Sequence, residues 1–417
     1  MINSSSYKPR IFPVLGIVDS AEIDRAQAID PTVSLNREKV EEIGREGVVG
    51  YLKKSPTVGY RLTQLEYGSI EFWQKLICSS VKGADGQTAI TLEDFKTPTF
   101  DICAYLTDDD ETFRGTYLYP ALRASGFSLA IGDPQARIER SFDFVGESAV
   151  IWQGANKYVI YGKHTCESAD DDVIDLSVSG TPFPAEDPDN AGVYMLRVMH
   201  ITVAGVSTEL VLGTGYTYES AGLLNILATV APTDVITYCY TSATAPDIMF
   251  TPNDDDPSAL LGDCVSIYLY IPETGKPTSS DYVYRLQSIN FDVKFDREDL
   301  REIGNKDVVQ RGIKNSTVTA NLGRILETFT IEEILRGEVA DYGKIDVAKL
   351  TDEVAIIVKV FTDNTKTTFA YGFKLTGMSP TDLKGGATVN EYVKADNTLT
   401  GEDLTISADE SVIGIEA

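Results

Sequence analysis

The chain of 417 residues carries 63 acidic against 36 basic residues, a formal charge of −27, with 43% hydrophobic and 24% charged residues. That length allows two to four ordinary domains, each long enough to bury its own core, and the acidic excess argues against groove binding of nucleic acid, which needs clustered Lys and Arg on phosphate. No apolar run approaches the ~20 residues that span a bilayer, Met1 to Ser6 lack the basic and apolar regions of a signal peptide, and the five cysteines are odd in number without CxxC spacing, so neither a disulfide framework nor a zinc site is indicated. The chain reads as a soluble protein made in a cytoplasm, with its cysteines as buried small hydrophobes.

In chain order, the first element of note is Asn36-Arg-Glu-Lys-Val-Glu-Glu-Ile-Gly44, followed by Val58, Tyr60 and Leu62 alternating with Thr57, Gly59 and Arg61. That period of two predicts a strand with one buried face. A helix is predicted from about Ser69 to Cys78, with Ile70, Trp73 and Ile77 on one stripe, and Trp73 at that spacing belongs to a core. Lys82 to Gln87 carry turn chemistry, and strands are predicted over Phe100 to Leu106 and Thr112 to Leu118. From Ser168 to Asp256 there are short strand-like runs, Tyr194 to Val203, Ser207 to Leu212, Tyr216 to Ser220, Gly222 to Ala228 and Asp234 to Thr241, whose turn spacing suggests a small β-sandwich. Beyond it, Phe291, Val293 and Phe295 alternate with Asp292, Lys294 and Asp296, then Val318, Ala320 and Leu322 with Thr317, Thr319 and Asn321. Thr330-Ile-Glu-Glu333 has the form of a capping box opening a second helix, and strands are predicted over Val354 to Thr362 and Thr367 to Leu375.

The two ends of this series are the same series. Asp296-Arg-Glu-Asp-Leu-Arg-Glu-Ile-Gly304 repeats the motif at Asn36, and an offset of 260 residues (Arg37 to Arg297) holds through Val48/Val308, Lys54/Lys314, Thr57/Thr317 and Leu65/Ile325. Thr107-Asp108 with Thr112 returns as Thr362-Asp363 with Thr367, and Gly146-Glu147 as Gly401-Glu402, now offset by 255, which places a deletion near Ser79 to Asp94. The period is far longer than the roughly 20 to 50 residues of a solenoid, so the reading is two similar domains, 1–167 and 258–417, around an unmatched 168–257. The twenty or so charged and Gly-containing residues between the paired strands exceed a tight turn and read as a projecting arm in each copy.

Recognisable chemistry is missing. Only His164 and His200 could serve a histidine relay, and both read as structural or solvent-facing. No nucleophile elbow, Walker loop, HExxH or dinucleotide fingerprint occurs, and Gly213-Thr-Gly215 is too short to count as one. Asp108–110, Asp170–172 and Asp254–256 lack the spaced oxygens and turn glycine of a calcium loop. Glu41-Glu42 and Glu332-Glu333 are neighbours that do not face each other across a substrate. No catalytic residue, cofactor or metal ligand is assigned, and the chain reads as a non-enzyme. The net charge fits an acidic surface kept for solubility, and equally the wall of a conduit that lets DNA pass without sticking.

The unit of strand, Asn/Asp-Arg-Glu-x-Val/Leu-x-Glu-Ile-Gly, second strand and helix resembles the tail tube proteins of tailed bacteriophages, over roughly 250 to 300 residues in the two copies. The resemblance implies a mainly β (α+β) chain: two tandem tube-like β-sandwich domains, each with one helix and a long loop, separated by an inserted immunoglobulin-like β-sandwich. It implies trimeric, pseudo-hexameric rings stacked into a hollow tube in the virion, assembled in the host cytoplasm. Partners would be other copies, the terminator, tape measure and baseplate or tip proteins, and DNA in passage, with no membrane contact. Another tail component on the same fold, such as a terminator, hub or baseplate protein, and a surface glycan-binding β-sandwich protein are the alternatives.

Overall fold

The computed structural model describes residues 12–15, 23, 26–40, 50–53, 56–79, 81–107, 113–153, 158–169, 172–177, 184–186, 194–202, 206–219, 222–244, 259–270, 286–300, 310–325, 353–386 and 394–414. The N-terminal part forms β1 (Phe12–Leu15), β2 (Ala26–Ser34), β3 (Arg37–Val40), β4 (Gly50–Lys53), β5 (Thr57–Leu65), helix α1 (Glu71–Leu76), β6 (Ile90–Thr91), β7 (Phe100–Thr107), β8 (Phe113–Ile131), β9 (Glu139–Gly146) and β10 (Val150–Gln153). The middle forms β11 (Tyr158–Thr165), β12 (Val173–Asp175), β13 (Met195–Ile201), β14 (Ser207–Glu209), β15 (Tyr216–Glu219), β16 (Leu223–Ile226) and β17 (Val235–Ser242). The C-terminal part forms β18 (Val265–Tyr270), β19 (Leu286–Leu300), β20 (Gln310–Ile325), β21 (Val354–Phe361), β22 (Phe369–Gly386), β23 (Lys394–Gly401), β24 (Asp403–Ser407) and helix α2 (Glu410–Ile413). The chain is mainly β, as its alternating segments require.

Strand register repeats along with the sequence. In β2 and β5, Val33 pairs with Val58 and Ala28 with Thr63; in β19 and β20, Val293 pairs with Val318 and Ser288 with Gly323. Each partner is displaced by the same 260 residues, and register slips recur at Ala26/Ala28 and Leu286/Ser288. The predicted arms are not loops. Pairing continues outward, Arg37 with Lys53 to Val40 with Gly50 in one copy, and Arg297 with Ile313 to Leu300 with Gln310 in the other. The described parts of both arms are therefore β-ribbon, and with Tyr51, Leu52 and Leu300 exposed they lack the alternation that betrays a half-buried strand. The elbow of the first is Asn36, at a left-handed φ of 43°. Its side chain accepts from the Ser34 hydroxyl at 2.8 Å and donates to the Thr57 hydroxyl at 2.9 Å, so side-chain bonds bridge the break in the ladder.

The later strands repeat too. Tyr105 pairs with Thr116 and Val360 with Tyr371, both at the 255-residue offset. β8 and β22 run well past the predicted strands because each bends between two sheets at a left-handed residue, Ala121 at φ 53° and Gly377 at φ 64°. At the first bend the Ala121 N–H donates to buried Asp101 at 2.8 Å, which holds the kink without a glycine.

The copies do not bury separate cores. β19 pairs with β8 from Ile289/Ile131 to Lys294/Gly126, and β6 of the first copy pairs with β24 of the second. Trp73 on α1 lies edge-on to Phe127 and Phe142 of its own copy and to Phe373 of the other, with centroids 5.0, 5.2 and 5.5 Å away. One apolar cluster runs through both copies, from Tyr60 and Phe142 to Phe291, Phe373 and Leu399. The expectation of one core per copy is thus corrected: α1 of the first copy covers the sheet of the second. The helix predicted from Thr330 lies outside the described residues.

The middle part encloses its own core, Val198, Leu224, Ile236 and Tyr240 among others, between sheets β11-β17-β13-β14 and β12-β16-β15. A boundary at 167/168 assigns β11 to the first copy; all eight of its residues pair with β17, so that strand belongs to the middle sheet. Arg197 fixes the middle part to the first copy through an ion pair with Asp101, bonds Thr99 at 2.9 Å, and is only 7% exposed. Cys103, Tyr105 and Leu118 of one side pack on Val159 and Cys239 of the other. Removing one member of a buried ion pair costs about 3–5 kcal/mol, so Arg197→Ala is expected to release the middle part as a separate, earlier unfolding transition in calorimetry while the repeated sheet unfolds as before.

Candidate functional site

The largest continuous feature is one sheet edge to edge across both copies, in the order β22-β23-β20-β19-β8-β9-β5-β2. One face supplies the core: Val58, Tyr60 and Leu62 of β5, Phe142 and Phe144 of β9, Phe127 and Leu129 of β8, Phe291 and Val293 of β19. The other face, by the alternation of a pleated strand, carries Thr63 and Arg61, Ser141 and Asp143, Ser128, Asn290 and Asp292, Thr319 and Asn321, and Thr398 and Thr400. Hydroxyls and amides there satisfy one another across strands: Thr63 with Ser141 at 3.3 Å, and Thr398 donating to Asn321 at 2.8 Å. A sheet with one apolar and one hydroxyl-rich face is built to be wet on one side only.

Charge on the wet face is mixed. Asp143 lies 3.9 Å from Arg61 and is about half exposed. Burial, together with nearby Asp292, holds its carboxyl above the ordinary carboxylate range despite the opposing pull of Arg61 and Lys294. A carboxyl whose folded pKa is raised weakens the fold as pH rises through that pKa, because the unfolded chain releases its proton first. Asp143→Asn is therefore expected to raise stability by a few tenths of a kcal/mol above that range, after solvent screening, and to change nothing at lower pH, checked by melting temperature across acidic and neutral buffers.

The two ends of this sheet are open among the described residues, and the first is unlike its repeat. Ile289, Phe291, Val293 and Phe295 of β19 are all at most 3% exposed, whereas Val33 and Leu35, at the positions of Val293 and Phe295, are 51% and 56% exposed. β19 has β8 on its outer side, whereas among the described residues β2 pairs only with β5. Apolar residues on an uncovered edge are an association surface unless something blocks them.

Residues that could have carried chemistry are placed elsewhere and apart. His200 is 8% exposed and bonds Asp234 at 2.8 Å, and the same carboxylate oxygen accepts from the Ala231 N–H at 2.9 Å, an arrangement that closes the turn into β17. His164 lies on β11, opposite Ile236. Trp73 is fully buried as the helical spacing predicts. All five cysteines are buried and none is in a disulfide, and burial pushes the Cys103 and Cys239 thiols well above their ordinary value. Gly213 takes a left-handed φ of 85° in a turn. Of the acidic runs only Asp172 is described; Asp108–110, Asp170–171, Asp254–256, Glu41-Glu42 and Glu332-Glu333 lie outside the described residues. Among the described residues no group of three or more His, Cys, Asp and Glu side chains is placed to hold a metal ion. The sheet edges themselves carry no motif, and only the duplication could have pointed to them.

No protein-family profile matches the chain, and no curated protein shows significant similarity to it. Its class stands on the fold: a mainly β protein organised around one internally repeated sheet.

Proposed function

We propose that the chain is the repeating structural subunit of a hollow phage tail tube, with the two sequence copies acting as fused tube domains and the middle part as an immunoglobulin-like decoration. The observation that carries this reading is the edge-to-edge joining of the copies in one sheet with an apolar and a wet face. Repeating that junction from chain to chain bends the sheet into a closed barrel, which removes its edges. Each chain contributes eight strands in that order, so three chains supply about 24 strands and a barrel roughly 45–50 Å across between backbones, about 35 Å inside the side chains. That lumen is wider than a DNA duplex; two chains give only the width of a porin barrel.

The wet face then lines the lumen. There Asp30, Glu139, Asp143, Asp292, Asp296, Asp382 and Asp396 outnumber Arg61, Arg123, Lys294, Lys384 and Lys394, and a hydroxyl-rich wall with excess negative charge repels phosphate and lets DNA slide. Genome delivery through such a conduit needs no catalytic residue, and no enzymatic role is proposed. Negative-stain microscopy of the purified protein tests the reading: striated hollow tubes are the expected result, single unstacked rings would point to a terminator or hub instead, and persistent monomers at high concentration would overturn it.

A further inference from the structure

We infer that two copies of this chain join by a specific ladder, Asp30 to Val33 of β2 against Leu383 to Gly386 of β22 of the next chain, with Thr32 directly opposite Lys384. This rests on the self-assembly reading above and adds to it the partner strands and their register.

The register follows from the junction inside the chain. β2 corresponds to β19 at an offset of 260 residues, with the same partners across β5 and β20. Beyond the bends at Ala121 and Gly377, β22 corresponds to β8 at an offset of 256: Phe127 faces Phe142 and Ser128 faces Ser141 on β9, and Leu383 faces Asn397 and Lys384 faces Asp396 on β23. Inside the chain Asn290 pairs with Ala130, Phe291 with Leu129, Asp292 with Ser128 and Val293 with Phe127. Carrying both offsets across puts Asp30 opposite Gly386, Pro31 opposite Gly385, Thr32 opposite Lys384 and Val33 opposite Leu383. Both strands have a free side among the described residues, since β2 pairs only with β5 and this half of β22 only with β23.

The side chains at the edge agree with that register. Val33, half exposed, would take the covered place of Val293. Asp30 stands diagonal to Lys384, an opposite-charge pair within reach across a sheet. Pro31 has no N–H to donate, so the ladder runs on the backbone groups of the other residues of β2. The ladder ends at Val33 for a steric reason: at the next pair inside the chain, a Cβ on Gly126 would lie 2.6 Å from the Val293 carbonyl oxygen, and Asp382 stands at the corresponding position.

The repeated Arg gains a role from the same comparison. Arg297 reaches the neighbouring copy and donates to the carbonyls of Ala124 at 2.5 Å, Phe95 at 3.1 Å and Lys96 at 3.2 Å. Arg37, its counterpart, is exposed, and the carbonyl corresponding to Ala124 is that of Pro380 in the next chain.

Cysteine cross-linking of the full chain tests the register, against a background in which all native cysteines are buried. A Thr32→Cys/Lys384→Cys variant is expected to form disulfides between chains on mild oxidation, giving dimers and closed trimers on a non-reducing gel. A Thr32→Cys/Asp382→Cys variant is two residues out of register, beyond disulfide reach, and is expected to stay uncrosslinked. Asp292→Cys/Ser128→Cys, the same pairing inside one chain, should close within the monomer and calibrates the geometry. Light scattering separates the two readings. Assembly without a Thr32/Lys384 cross-link, or with the out-of-register one, overturns the ladder alone; no assembly by the unmodified chain overturns the ladder and the tube reading together. Arg37→Ala should leave the melting temperature unchanged while raising the concentration needed for assembly about tenfold, and an unchanged assembly concentration would remove Arg37 from the junction.

Discussion

Glu66→Gln should lower the stability of the repeated sheet by about 3–5 kcal/mol, the ordinary cost of stranding one member of a buried ion pair. Glu66 and Arg140 are both completely buried, their side chains 2.9 Å apart. Burial alone would depress the Arg140 guanidinium; the Glu66 carboxylate, together with Tyr371 and Tyr67, more than offsets that, so the group is held above its ordinary value. Glu66 accepts in addition from the N–H groups of Tyr67 and Gly68 at 2.9 and 2.7 Å and from the Tyr371 hydroxyl at 2.6 Å. Arg140 also donates to Gln64 at 2.9 Å and lies against the rings of Tyr67 and Phe72. Because Tyr371 comes from the second copy, this one carboxylate fastens the copies to each other. A neutral amide there keeps the shape and leaves a buried guanidinium without its counter-charge. Tyr371→Phe removes one charge-assisted donor and should cost about 1.5–3 kcal/mol. Glu93→Gln, which breaks an exposed pair with Lys96, should stay within about 0.5 kcal/mol. Urea unfolding midpoints at constant slope measure all three; a Glu66→Gln variant as stable as the parent would show that the pair fastens nothing.

That pair also shows where sequence reading stops. Strands β5, β19 and β20 were legible because one face of each is buried and the other wet, Val58, Tyr60 and Leu62 alternating in the chain for the same reason that they alternate in burial, whereas β2, β9 and β23 were not read. Trp73 was legible as core from helical spacing, and the duplication from the constant offset. The Glu66–Arg140 pair was not, since a lone Glu and a lone Arg in a sequence look like surface residues, and 74 residues separate them. The shared core was invisible for a related reason. Nothing local in Ile289 to Lys294 says that their outer neighbours are Gly126 to Ile131 rather than solvent. The alternation of β2 and β19 reads alike, and only the three-dimensional pairing separates the covered strand from the open one.

Deleting Glu298 to Lys314 and closing Arg297 to Asn315 with an Asn-Gly turn should leave rings and abolish tubes. The described residues among those deleted, 298–300 and 310–314, form the outer end of the β19–β20 ribbon, beyond the slip between Asp296 and Arg297. The retained part holds what the fold uses: Phe295, 3% exposed and stacked on Phe95 at 6.0 Å, and Arg297 with its three carbonyl partners. The lost part offers the core only the partly buried Ile313; Glu298 and Leu300 are exposed, the latter by 49%. The companion ribbon exposes Tyr51 and Leu52 by 57% and 55%. Ribbons with edges unpaired among the described residues and with uncovered apolar side chains are association surfaces, and of these ribbons the proposed lateral closure through β2 and β22 uses only their first residue, Arg37. Stacking of identical rings is a head-to-tail contact that never closes, and in the proposed tube these ribbons are assigned to it. The deletion variant is therefore expected to melt within a few degrees of the parent, to give the Thr32/Lys384 cross-link, and to show single rings by electron microscopy. Long tubes from this variant would place the axial contact elsewhere in the molecule, and monomers would show that lateral and axial contacts share the ribbon.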